Sequence, residues 1–303
     1  MMLVVFIFPL SATATSILSG KGSITFSLKD SETEKPIANV PFRLYLIAKV
    51  YENENGIGYE MISPYDKAGI DTIDLQDSSL PVHLAYFSLS HSQPYIEKNT
   101  NEKGTLVFDN LEPSLYLIVP SQSEVHNCDV TPFLISVPTY NSQNGNWEYN
   151  IDVSPKIGGS DSDEEGKTYI SVAKKWDTDN VHPESVTVVL LRDFQQYEKV
   201  QLNENNNWHY RWDNLSKKHT WSVVEADVPE GYTVCYETTS NTVTIINKSE
   251  KTETPPTKPS EPSKDKLVQT GQLNWPVPVC AISGLLIFSI GWAMLNLGKK
   301  EIE

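Results

Sequence analysis

The sequence predicts an all-β chain of two tandem β-sandwich domains, followed by a C-terminal transmembrane helix. Three observations predict it. Short runs rich in Val, Ile, Thr, Tyr and Trp are separated by turn residues such as Glu102-Lys-Gly104 and Asn205-Asn-Asn207, the pattern of short strands in an immunoglobulin-like sandwich. The chain also repeats itself. Phe108-Asp-Asn-Leu111 precedes Tyr116-Leu-Ile-Val119, and Trp212-Asp-Asn-Leu215 precedes Trp221-Ser-Val-Val224, so in each half a strand is expected to end in an Asp-Asn turn before an aromatic opens the next. Finally, the apolar run Trp275 to Leu297 makes roughly 34 Å of helix at about 1.5 Å per residue, enough to cross a hydrocarbon core.

At the N-terminus, Met1 to Pro9 is apolar and Ala12-Thr-Ala14 is a small-residue cleavage site, so residues 1–14 read as a secretion signal. No Lys or Arg precedes this apolar run, so the start is expected upstream of Met1. The first sandwich is expected over 19–156. Within it, Leu80, Leu84 and Phe87 recur at helical spacing behind Asp77, predicting a short surface helix across that sandwich, with a loop as the other reading. An acidic, Gly/Ser-rich linker covers 157–166, the second sandwich 167–248, and a Pro-rich extended stalk 249–266. Residues 267–303 complete the chain with the span 275–297, and Lys299-Lys300 remain on the cytoplasmic side.

A formal charge of -15 argues against nucleic acid as a partner. Cys128 and Cys235 lie in different halves and Cys280 in the apolar span, so no disulfide framework is implied. A secreted chain without disulfides needs another staple. The exported region carries no Gly-x-Ser-x-Gly elbow, His-Glu-x-x-His helix or Cys/His pairing, which leaves a hydrolase unsupported. His83 and His91 flank the predicted helix, a setting more often structural than metal-ligating; no metal or cofactor is expected.

The second sandwich carries the chemistry. Strand alternation puts Ile170, Val172, Lys174 and Trp176 on one face, Trp221, Val223 and Glu225 on another strand's face, and Val243, Ile245 and Asn247 on a third. In each strand a polar residue continues an apolar face. Burial disfavours both charges, raising a carboxyl pKa and lowering an amine pKa. If the three meet, a neutral Lys174 can attack the Asn247 side-chain carbonyl while Glu225 shuttles protons and ammonia leaves, giving an isopeptide bond. By composition alone, Lys175 or Lys199 looks no different from Lys174.

Residues 169–248 resemble a collagen-adhesin B-type (CnaB) domain, through Ser171-Val-Ala-Lys174-Lys-Trp176-Asp, Pro183-Glu-Ser-Val-Thr-Val-Val-Leu190, Val224-Glu225 to Pro229-Glu-Gly-Tyr232, and Val243-Thr-Ile-Ile-Asn247. The stretch Trp221 to Tyr232 is similar to the pilin E-box YxLxETxAPxGY, with Trp221 at the Tyr and Ala226 at the Thr. The resemblance implies that Lys174 and Asn247 are joined, with Glu225 as catalyst. Such a link between first and last strands carries a pulling load past the strands between them.

In the first sandwich, Phe26-Ser-Leu28-Lys29-Asp30 resembles the opening of a pilin domain in which a lysine would fall at Leu28. Lys29 is one residue off and on the opposite face, and Pro120 occupies the glutamate position. No bond is expected there by this route. Trp147-Glu-Tyr-Asn-Ile151-Asp-Val153-Ser154-Pro155-Lys156 is similar to the pilin motif WxxxVxVYPK, which implies that Lys156 is the acceptor when a pilin-class sortase polymerises subunits. Leu267-Val-Gln-Thr-Gly271 resembles the LPxTG sorting signal, with Val268 in place of proline. Leu267, Thr270 and Gly271 match, and the scissile bond would be Thr270-Gly271.

Taken together, these features predict a secreted, cell-wall-anchored fimbrial subunit that is a substrate of sortase rather than an enzyme. Its expected partners are sortase, peptidoglycan, other pilin subunits and, before sorting, the membrane. The alternative is a monomeric wall-anchored adhesin whose first domain binds a host extracellular-matrix or neighbouring-cell ligand through an insertion at about Glu52 to Asn101, rich in Tyr and His.

Overall fold

The computed structural model describes residues 18–30, 33–54, 56–121, 130–157, 166–177 and 182–249. In chain order the first half contains β1 (Gly22–Ser27), β2 (Lys29–Asp30), β3 (Pro41–Asn53), β4 (Gly56–Met61), α1 (Leu80–Ser90), β5 (Ile96–Asn99), β6 (Thr105–Leu111) and β7 (Ser114–Pro120). It closes with β8 (Phe133–Val137), β9 (Thr139–Asn141), β10 (Asn146–Glu148), β11 (Asn150–Val153) and β12 (Lys156–Ile157). The second half is β13 (Lys167–Asp177), β14 (Ser185–Arg192), β15 (Gln195–Asn203), β16 (His209–Ser216), β17 (Trp221–Glu225), β18 (Tyr232–Thr239) and β19 (Thr242–Ser249). The chain is mostly β, in two sandwiches. No helix among the described residues is long and apolar enough to cross a membrane. The predicted span 275–297, the secretion signal 1–14 and the sorting signal lie outside the described residues.

In the first sandwich a β11-β1-β6 sheet faces a β4-β3-β7-β8 sheet that also holds β5 on β3. Ile24, Phe26, Leu106 and Phe108 from one sheet meet Phe42, Leu44, Tyr116 and Ile118 from the other. Strand β7 is buried along its whole length, because Leu115, Leu117 and Val119 on its far face are covered by a second cluster that includes Leu84 and Phe87 of α1. That explains its unbroken apolar sequence, which a half-solvated strand would interrupt with polar residues.

Helix α1 departs from expectation in two respects. Its N-cap is Ser79, which makes no side-chain cap, while the Asp77 carboxylate accepts from the Ser79 N–H at 2.8 Å. Nor is it a surface helix. Leu80, Leu84 and Phe87 pack on the first sandwich, and Val82 and Tyr86 pack on Val189, Leu191, Val224 and Ala226 of the second. A helix that is apolar on more than one side has to be covered on more than one side.

The second sandwich pairs a β16-β13-β19-β18 sheet with β15-β14-β17. Its first and last strands run parallel, with Val172 opposite Val243 and Lys174 opposite Ile245. The first sandwich repeats this, with Ile24 opposite Ile151 and Phe26 opposite Val153. The Asp-Asn repeat also has a structural counterpart, but it is a bulge inside a strand rather than a turn at its end. Asp109 and Asn110 of β6 oppose one residue between Gly22 and Ile24, and Asp213 and Asn214 of β16 oppose one residue between Thr168 and Ile170. Asn110 and Asn214 have φ of 58° and 59°, a left-handed conformation that Asn tolerates better than other non-glycine residues.

Candidate functional site

The three faces predicted from strand alternation meet in the second core. Ile170, Val172, Val223, Val243 and Ile245 form its apolar body, and Lys174, Glu225 and Asn247 extend it with relative exposures of 5%, 0% and 0%. The residues come from both sheets: β13 and β19 supply Lys174 and Asn247, and β17 supplies Glu225. Asn247 Nδ2 donates to Glu225 Oε1 at 3.0 Å. Glu225 Oε2 and Asn247 Oδ1 are buried without a hydrogen-bond partner among the described residues, a cost of the kind found where chemistry rather than packing is served.

The Lys174 ammonium donates to the Lys175 carbonyl at 2.7 Å and lies 3.9 Å from the centre of the Trp176 ring. Aromatic groups close this end of the core. His182 stacks on Trp176 at 4.7 Å, and Trp208 and Tyr232 meet Trp176 edge-on. Burial drives the Lys174 amine down from 10.5 to about 8, against the opposing charge of Glu225. Burial likewise drives the Glu225 carboxyl up from 4.5 to about 7, against Lys174 and the Asn247 hydrogen bond. Both shifts favour the uncharged forms near neutral pH.

In the first sandwich the matching positions are apolar. Leu28 is fully buried in the core, Pro120 is buried at the end of β7, and Lys29 is exposed. The backbone of Lys156 lies in β12, which runs parallel to β2 with Lys156 opposite Lys29. Leu267, Thr270 and Gly271 lie outside the described residues. No group of His, Cys, Asp and Glu suited to a metal ion occurs among the described residues.

Sequence reasoning missed the contribution of α1. His83 shares the face of Leu80, Leu84 and Phe87, and is buried at 2% exposure. Its spacing within that apolar face was the signal: a histidine three residues after Leu80 and four before Phe87 points where they point.

Residues 170–248 match the Cna protein B-type domain family, and residues 17–156 match the N-terminal D1 domain of Gram-positive pilin subunits. The collagen adhesin of Staphylococcus aureus is 23% identical over 290 residues, a match covering 75% of this chain and 24% of that protein. Among solved structures, the minor pilin of Streptococcus agalactiae is 17% identical, with 80% of this chain and all of that chain covered at a TM-score of 0.29. The full-length major pilin of Corynebacterium diphtheriae is 12% identical, with 77% and 98% covered at a TM-score of 0.30. By its two domain matches the chain is a pilin- and CnaB-like surface protein. Its two families are those of structural and adhesive proteins, not enzymes.

Proposed function

We propose that the chain is a sortase-anchored fimbrial subunit whose second sandwich is locked by an autocatalytic isopeptide bond between Lys174 and Asn247. One observation carries this reading: a lysine, a glutamate and an asparagine are buried together in an otherwise apolar core, with Asn247 bonded to Glu225. A protonated Glu225 has one O–H to donate, and the Asn247 carbonyl is the neighbouring acceptor that lacks a donor. Carboxylic acid and amide then form a two-point pair that polarises Asn247 Cγ toward attack. Neutral Lys174 Nζ adds to Cγ, its proton passes through Glu225 to Nδ2, and the Cγ–Nδ2 bond breaks. The products are one amide and one ammonia, and Glu225 ends as it began.

Anchoring through Thr270 and polymerisation through Lys156 belong to the same reading, supported by the motifs around each residue and by the pilin D1 match. Partners are then sortase, peptidoglycan and further copies or other subunits of a fimbrium. Intact-mass measurement of the chain tests the bond: wild type lacks the mass of one ammonia, and Glu225→Ala retains it. High-mass ladders on denaturing gels that vanish in Lys156→Ala test polymerisation. The adhesin reading draws support from Tyr51, at the edge of the insertion, and Tyr95, within it, both about half exposed. A chain that never forms ladders yet binds a matrix protein would favour it.

A further inference from the structure

We propose that the first sandwich positions Glu225 for the reaction in the second: α1 carries His83 across the interface to Tyr236, and the Tyr236 hydroxyl holds the Glu225 backbone. The inference rests on the isopeptide reading above and extends it to residues outside the triad. Three hydrogen bonds make the connection. His83 Nε2 lies 2.8 Å from the Ala68 carbonyl, which can only accept, so Nε2 carries the ring proton. The neutral ring then accepts at Nδ1, 2.7 Å from the Tyr236 hydroxyl. That hydroxyl spends its proton on His83 and accepts from the Glu225 N–H at 3.2 Å. Every donor and acceptor in the line is used once, so its polarity is fixed.

The local topology explains why Glu225 needs this support. β17 is the edge strand of its sheet, pairing only with β14. The Glu225 N–H therefore has no ladder partner on its outer side, and an unpaired edge residue is free to shift. Tyr236 reaches it from β18 in the opposite sheet, so its hydroxyl ties both sheets of the second sandwich to α1 of the first. The interface is otherwise built to hold α1 in register. Val82 and Tyr86 pack on Val189, Leu191, Val224 and Ala226, and the Val234 N–H donates to the Gly69 carbonyl at 2.7 Å. Gly69 has φ of +71°, and a Cβ there would lie 2.6 Å from the Val228 side chain, so the loop that feeds α1 can approach this closely only as glycine. Burial holds the His83 imidazole below its ordinary pKa, which keeps the ring in the neutral form that the line requires.

The consequence is kinetic. Bond formation in the second sandwich is quickened by docking of the first, so a chain locks fastest when both are assembled. Tyr236 and His83 are positioning residues, since their hydrogen bonds run to Ala68, to each other and to the Glu225 backbone rather than to Lys174 or Asn247. Cell-free synthesis of the full chain, quenched in denaturant at intervals and read by intact mass, gives the time course of ammonia loss. Tyr236→Phe and His83→Leu are expected to slow it by about tenfold, the rate equivalent of one hydrogen bond. His83→Gln keeps one donor and one acceptor and is expected to restore most of the rate. Amide hydrogen exchange at Glu225 is expected to quicken in the first two variants and not in the third. A wild-type time course in Tyr236→Phe, or a His83→Gln chain as slow as His83→Leu, would show that packing rather than the hydrogen-bonded line matters, and overturns the proposal. A wild-type chain that never loses ammonia defeats the isopeptide reading itself, and this inference with it.

Discussion

Lys174, Glu225 and Asn247 fill the core of the second sandwich at a level where the first sandwich buries Leu28 and Pro120, although both close by laying their last strand parallel to their first. The closure is shared and the filling is not. Parallel terminal strands put the chain's entry and exit at opposite ends of one strand pair, so tension pulls that pair in shear. If Lys156 receives one neighbour and Thr270 is joined to the next, the load runs from 156 to 270 and passes through the second sandwich alone. The first lies outside that path. On that path a cross-link would be useful in one sandwich and idle in the other, and an idle buried lysine would only cost stability.

The largest expected effect comes from making the second sandwich like the first by preventing the proposed bond. Asn247→Ala leaves no carbonyl to attack, and the link closing a loop of roughly 70 residues is worth about 4 kcal/mol by the chain-entropy rule for cross-links. Calorimetry on the full chain should show the second transition fall sharply while the first stays. In single-molecule pulling through the ends of the second sandwich, wild type should give no unfolding step there, and the variant a step of roughly 250 Å. An unchanged wild-type trace in Asn247→Ala would sever the link between triad and mechanical strength.

The reverse exchange tests whether position alone makes the chemistry. Leu28→Lys puts an amine at the fully buried place where the second sandwich has its nucleophile, but with Pro120 in place of the glutamate. No bond should form, and the buried amine should lower the stability of the first sandwich by about 3 kcal/mol. Loss of a second ammonia, beyond the one expected from the second sandwich, would mean that the carboxyl is dispensable.

A smaller effect separates the two sandwiches by pH. Bond formation needs Glu225 protonated and Lys174 neutral, groups whose pKa values are drawn to about 7 and about 8. The rate of ammonia loss should form a bell centred between them. It should fall about tenfold per pH unit on either side, on the acid limb as Lys174 gains its proton and on the alkaline limb as Glu225 loses its own. Stability of the uncross-linked Asn247→Ala chain should follow the same groups with definite signs. A raised Glu225 pKa means that the folded state holds a proton the unfolded state has released, so stability declines from pH 4.5 to about 7. A lowered Lys174 pKa means the opposite, so stability recovers from about 8 toward 10.5. The first sandwich, with Leu28 and Pro120, should show neither limb.

The triad's faces were legible because strand alternation is a strict period of two: once Val172 and Ile245 are inside, Lys174 and Asn247 are inside as well. Leu28 and Lys29 were separable for the same reason. The helix was harder. Leu80, Leu84 and Phe87 announced one apolar face, but Val82 and Tyr86 lie on another, and nothing local says that a second sandwich covers it. His83 was set aside as a surface residue because its partners, Ala68 and Tyr236, stand 15 and 153 residues away in sequence. Contacts between sandwiches have no period to betray them.

The Asp-Asn repeat was visible as a repeat and misread as a turn, because the residues that favour a turn also favour a bulge: both need a left-handed residue. The structure offers a matched pair on which to test that need. Asn110 and Asn214 occupy the same bulge in the two sandwiches with φ of 58° and 59°. Alanine at either should cost about 1 kcal/mol, the strain of a left-handed non-glycine residue, while glycine should cost little at either. Because the bulge belongs to the shared closure and not to the differing cores, the two alanine penalties should agree when both are measured in the Asn247→Ala chain. A penalty confined to Asn214 would tie its bulge to the reactive core instead, and would mean that the two sandwiches differ in framework as well as in filling.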